Sequence, residues 1–76
     1  MSTTDFISKF AEALEIEDAS NLSEATEFRN LDEWDSLAYL NIIAMLDEEY
    51  EVQIENAEFK KLNTIGDIIA FVNANK

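Results

Sequence analysis

Asp35-Ser36-Leu37 is the segment whose residue types and spacing could do chemistry. A serine hydroxyl directly follows a carboxylate, and an amphipathic stretch from Leu37 to Tyr50 begins behind it. Ser36 is thereby expected at the start of a helix. There a hydroxyl is exposed, and unpaired N–H groups and the helix dipole favour an anion such as phosphate. The plain structural reading of the pair is a helix N-cap, and both readings can hold at once. The chain has no His and no Cys. That removes Ser-His catalysis, thiol chemistry and most zinc sites. The motif offers no base except Asp35, so Ser36 reads better as a group that another enzyme modifies than as a catalytic nucleophile.

The elements that must position this segment are helical. Pro is absent and Gly occurs once, so little interrupts a helical pattern. A first helix is expected from Asp5 to Glu15, capped by Thr3 or Thr4, with Phe6, Ile7, Phe10, Ala11 and Leu14 on its inner face. A long connection from Glu17 to Asp35 follows, with Leu22, Phe28, Leu31 and Trp34 as its anchors. On the second helix Tyr39, Ile42, Ile43, Leu46 and Tyr50 share the expected core face, while Leu37, Asn41, Ala44, Met45 and Glu48 point away. A short third helix spans Asn56 to Leu62. The last helix opens at Thr64-Ile65-Gly66-Asp67, with Thr64 as cap and Asp67 answering it, and buries Ile65, Ile68, Ile69 and Val72. The expected fold class is all-α: one domain over residues 1–76, a small bundle of three main helices plus one short helix.

Composition narrows the partners. Seventeen acids face five bases, for a net charge of −12. Between Glu12 and Glu58 there are fifteen acids and one base, Arg29. Such a surface repels nucleic acid and attracts basic protein patches. The apolar runs are too short to span a membrane, and the N-terminus lacks a secretory signal pattern. A cytoplasmic monomer is the default expectation.

Three segments together resemble the acyl carrier protein family. They are Leu31-Asp32-Glu33-Trp34-Asp35-Ser36-Leu37, the acidic helix end from Leu46 to Ile54, and Phe59 to Ile68 with its short helix, Thr cap and final helix. The resemblance covers nearly the whole chain. It implies a non-enzymatic carrier whose Ser36 holds 4'-phosphopantetheine, donated by coenzyme A, with an acyl or aminoacyl cargo as a thioester. Asp35 and Leu37 would flank the attachment point, and the counterpart of Asp35 helps hold Mg²⁺ at the interface with a phosphopantetheinyl transferase. Other implied partners are an acyl-loading ligase or transacylase, and synthase or acyltransferase enzymes with basic patches. Leu37, Asn41, Met45, Asp47 and Glu48 would form the partner surface.

The sequence departs from the common fatty-acid pattern. Ala38 and Asn41 stand where acids are usual, and Trp34 precedes Asp35 in a loop one residue longer than the frequent form. The Trp-Asp-Ser-Leu form resembles stand-alone carriers of specialised pathways. The family also implies a possible acyl chamber lined by Phe28, Ile42, Ile43, Leu46, Ile54, Phe59, Leu62 and Ile68; a fully packed core is the alternative. Two rival classes are a Ca²⁺-binding domain and an unmodified acidic interaction module that binds a basic protein. The EF-hand spacing is absent, since Asp32-Glu33-Trp34-Asp35 is too short a cluster for it.

Overall fold

The computed structural model describes residues 3–17 and 19–75. Among the described residues four α-helices follow one another: α1 (Thr3–Ala13), α2 (Ser36–Tyr50), α3 (Asn56–Phe59) and α4 (Ile65–Ala74). Two short 3-10 turns, Ala19–Asn21 and Phe28–Asn30, punctuate the long connection. β pairing among the described residues is confined to one antiparallel bridge, Glu27 with Thr64. None of the described helices is long and apolar enough to cross a membrane.

α1 starts earlier than expected and stops at Ala13, so Thr3 and Thr4 lie inside the helix rather than capping it. It closes where Glu15 turns left-handed, with φ of 59°, and the Ile16 N–H donates to the Ala11 carbonyl at 2.8 Å. α2 ends in the same way, with Glu51 at φ of 55° and the Val52 N–H donating to the Leu46 carbonyl at 3.1 Å. A left-handed residue at this position is usually Gly or Asn, since a Cβ is strained there. α3 is one turn, shorter than expected, and its C-terminal side continues as turns through Lys61.

α4 opens as its sequence predicts. The Thr64 hydroxyl accepts from the Asp67 N–H at 3.1 Å, and Asp67 Oδ2 accepts from the N–H groups of Thr64 and Asn63 at 3.1 and 2.9 Å. These backbone donors, Asn63 first, hold the Asp67 carboxyl below its ordinary range. Ile65, Ile68, Ile69 and Val72 are buried as expected.

The core is aromatic at its centre. Phe6, Phe10 and Phe28 are fully buried, and Phe59 nearly so. Phe28 meets Phe10 and Phe59 edge-on, with centroids 6.3 and 5.5 Å apart, a favoured ring geometry. Ile42 and Leu46 of α2 are fully buried against this cluster. One expectation for α2 is corrected here. Met45, expected to point away from the core, is only 8% exposed, and Ala38, at a position where the fatty-acid pattern usually has an acid, is only 4% exposed. The reason is that α1 lies along that side of α2, where the Asn41 side-chain amide donates to the Ala13 carbonyl at 3.2 Å. The buried arc therefore runs from Met45 and Ala38 through Ile42 to Leu46. Tyr39, Ile43 and Tyr50 on its other flank are half-buried.

The long connection is anchored by Phe28, with Leu22, Leu31 and Trp34 packed on the core as expected. Its middle is also fastened to the start of α4. The Ile65 N–H donates to the Thr26 carbonyl at 3.0 Å, and the Gly66 N–H to the Glu24 carbonyl at 2.8 Å. A Cβ at Gly66 would stand 2.9 Å from that Glu24 oxygen, which explains why the single glycine is spent here.

Candidate functional site

Ser36 is the first residue of α2 and is exposed. Asp35 caps the helix: its Oδ1 accepts from the Ala38 N–H at 2.7 Å. With the carboxylate turned to the backbone, the Ser36 hydroxyl has no hydrogen-bond partner among the described residues and faces solvent. Leu37 follows at 65% exposure, so Asp35, Ser36 and Leu37 stand together as the sequence implies.

A groove of about 380 Å³ opens beside Ser36, with Trp34, Tyr39, Asn56, Phe59 and Lys60 along it. Arg29 fixes its far wall. Its Nη2 donates to the Phe59 carbonyl at 2.8 Å and its Nε to the Leu62 carbonyl at 3.1 Å. The guanidinium also lies over the Phe28 and Phe59 rings. The Tyr39 hydroxyl donates to Asn56 Oδ1 at 3.2 Å.

The expected partner residues divide between two surfaces. Asp47 and Glu48 are exposed on α2. Asn41, Met45 and Glu48 line a second hollow, about 350 Å³, between α1 and α2, where Lys9 pairs with Glu49 at 3.8 Å. Met45 forms its floor rather than an outward contact.

A family model described as "phosphopantetheine attachment site" matches residues 5–72. The chain belongs to the acyl carrier protein family. An acyl carrier protein of Streptococcus thermophilus is 40% identical over 55 residues, which cover 72% of this chain and 70% of that one. The solution structure of holo acyl carrier protein from Geobacter metallireducens superposes with a TM-score of 0.81 at 29% identity, covering 99% of this chain and 86% of that one. The carrier is thus not an enzyme, and it takes phosphopantetheine covalently, a group whose thiol supplies the thioester chemistry. A phosphopantetheinyl transferase and acyl-handling enzymes are the partners the family implies. The rival reading as an unmodified acidic module is not favoured.

The carrier's residues fit that group. The exposed Ser36 hydroxyl at a helix N-terminus would be reachable by a transferase, and the helix dipole would favour a phosphodiester there. Lys60 brings positive charge to the groove beside it. Asp35 offers a single carboxylate, and no cluster of three or more His, Cys, Asp or Glu among the described residues could hold a metal alone. Any Mg²⁺ at Asp35 would draw its other ligands from a partner.

Sequence reasoning missed Leu40, which is 59% exposed beside Leu37. Its spacing of three residues from Leu37 was the available signal. It also missed the groove, whose residues come from three separate segments and carry no local pattern.

Proposed function

We propose that Ser36 is the attachment residue of this carrier, and that it serves a specialised cytoplasmic pathway as a monomer. It would receive its arm from coenzyme A, accept an acyl or aminoacyl group from a dedicated ligase or transacylase, and present it to synthase or acyltransferase enzymes with basic patches. The observation that carries the attachment reading is the exposed, unbonded Ser36 hydroxyl on the first turn of α2, with Asp35 committed to capping. The partner surface would then consist of Leu37, Leu40, Asn41, Asp47 and Glu48, all exposed. Ala38, with 4% of its surface accessible, does not belong to it.

The specialised reading rests on Asn41, an exposed neutral residue where the fatty-acid pattern has an acid, and on Trp34 before Asp35. Exposed charge pairs set encounter rate and selectivity more than affinity. The attachment test is incubation with coenzyme A, Mg²⁺ and a broad-specificity phosphopantetheinyl transferase. Mass spectrometry should show one arm on the wild type and none on Ser36→Ala; an unmodified wild type beside a modified control carrier would falsify the assignment. For the pathway, loading by a fatty-acid transacylase should be slow and should improve several-fold in Asn41→Glu at low salt. Wild-type loading equal to that of a housekeeping carrier would sink the specialised reading and leave the carrier function intact.

A further inference from the structure

Phe59 belongs to the groove beside Ser36 and to the core at once. It lines that groove, yet it is only 1% exposed, while the other residues along the groove are half-buried or exposed. Its ring is enclosed by other rings. Trp34 lies parallel to it, with planes 4° apart and centroids separated by 6.0 Å. Tyr39 and Phe28 meet it edge-on at 5.0 and 5.5 Å. The Arg29 guanidinium lies over it at 5.4 Å. The backbone is fixed as well: the Phe59 N–H donates to the Glu55 carbonyl at 2.9 Å, and its carbonyl accepts from Arg29 Nη2 at 2.8 Å.

Behind Phe59 the rings continue inward. Phe28 meets Phe10, Phe10 lies 6.4 Å from Phe6, and Phe6 lies 5.7 Å from Tyr50. This string of rings packs in one buried cluster with Ile42, Leu46 and Ile68, residues that would line an internal acyl chamber. An acyl chain entering from the groove would have to displace the Phe59 ring first. Close-packed interiors resist such displacement.

We infer that Phe59 determines cargo length: it is the residue that shuts the helix interior against an acyl chain held at Ser36. The carrier then takes short or polar acyl and aminoacyl groups, because a long alkyl chain kept outside leaves its apolar surface in water. Removing the ring joins the groove to the interior and admits a chain of medium length. This inference rests on Ser36 as the attachment residue.

The test uses full-length carrier loaded by a phosphopantetheinyl transferase from coenzyme A, butyryl-coenzyme A or octanoyl-coenzyme A, with one arm per chain checked by mass. In the wild type, isotope-filtered NMR should show no contact between the octanoyl methyl and Leu46 or Ile68. Its holo, butyryl and octanoyl forms should melt at the same temperature. In Phe59→Ala the octanoyl methyl should reach those two residues. The octanoyl form should also melt about 4–8 °C above the holo form of the same variant, with no such rise for butyryl. A residue that serves packing alone would lower the melting temperature of every form equally and create no such difference. If holo Phe59→Ala does not fold, Phe59→Val, which removes less of the side chain, makes the same comparison, and the wild-type spectrum still decides whether the interior is shut. Octanoyl contacts to Leu46 or Ile68 in the wild type overturn the inference. So does a folded variant in which octanoyl neither reaches those residues nor raises the melting temperature. A wild type that takes no arm overturns the attachment assignment itself, so the two failures are distinct.

Discussion

The guanidinium of Arg29 donates to the Phe59 carbonyl while lying 5.4 Å over the ring of the same residue. It thereby joins the long connection to the end of α3 and, through the Leu62 carbonyl, to the turn that follows it. Arg29→Lys keeps the charge but cannot reach both carbonyls with a planar fork. It should lose about 1 kcal/mol in urea unfolding. A lysine variant as stable as wild type would show that the fork contributes nothing.

The burial pattern of α2 is tested by three truncations. Leu46→Ala should cost about 2–5 kcal/mol. Met45→Ala should cost more than about 1 kcal/mol, because it empties space between α1 and α2. Leu40→Ala should cost about 0.5 kcal/mol or less, as an exposed site. Urea midpoints decide the matter: a Met45 loss as small as that of Leu40 would mean that α1 does not cover this side of α2.

Glu51 holds a left-handed conformation that a Cβ disfavours. Glu51→Gly should therefore stabilise the fold by about 0.5–1 kcal/mol, after the greater flexibility of glycine in the unfolded chain is deducted. Glu55→Gly is the control, since Glu55 has an ordinary φ of −81° and gains nothing. Equal effects at both sites would refute the strain argument.

Asp67 sets a pH dependence. Its carboxyl is held below the ordinary range in the folded protein by the N–H groups of Asn63 and Thr64. The stability it contributes is present above its unfolded pKa of about 3.9, and is lost as pH falls through the lowered folded value. The advantage of wild type over Asp67→Asn should thus shrink on acidification. The difference between the two is the quantity to follow by urea unfolding, because protonating the other carboxylates relieves repulsion in both proteins at once. A constant difference down to the lowest pH would contradict the assignment.

Features encoded within a few residues were legible in the sequence. The Thr64–Asp67 box and the Asp35 cap each depend on residues three apart, and both form. The inner faces of α1 and α4 also emerge from periodicity, because each helix presents one side to the core. α2 did not yield fully to the same reading. It is covered from two directions, by α1 and by the aromatic cluster, so one face drawn on a wheel left Met45 on the wrong side and Ala38 on neither. At the candidate site, Asp35, Ser36 and Leu37 form a contiguous run and could be read directly. The groove next to them joins Arg29, Trp34, Tyr39 and Lys60, and only tertiary packing brings these together.

The fastening of residues 24–27 to residues 64–66 divides the long connection into two independent lengths of chain. Residues inserted upstream, between α1 and the fastening, lengthen a closed loop at little entropic cost. The stretch downstream, from Phe28 to Asp35, is tied by Phe28 and Trp34 and leads straight to Ser36. An insertion near Asn21 would therefore leave Ser36 where it is. One added near Asp32 would swing it relative to the helix bundle. Peptide tags or reporters belong in the first length and not in the second.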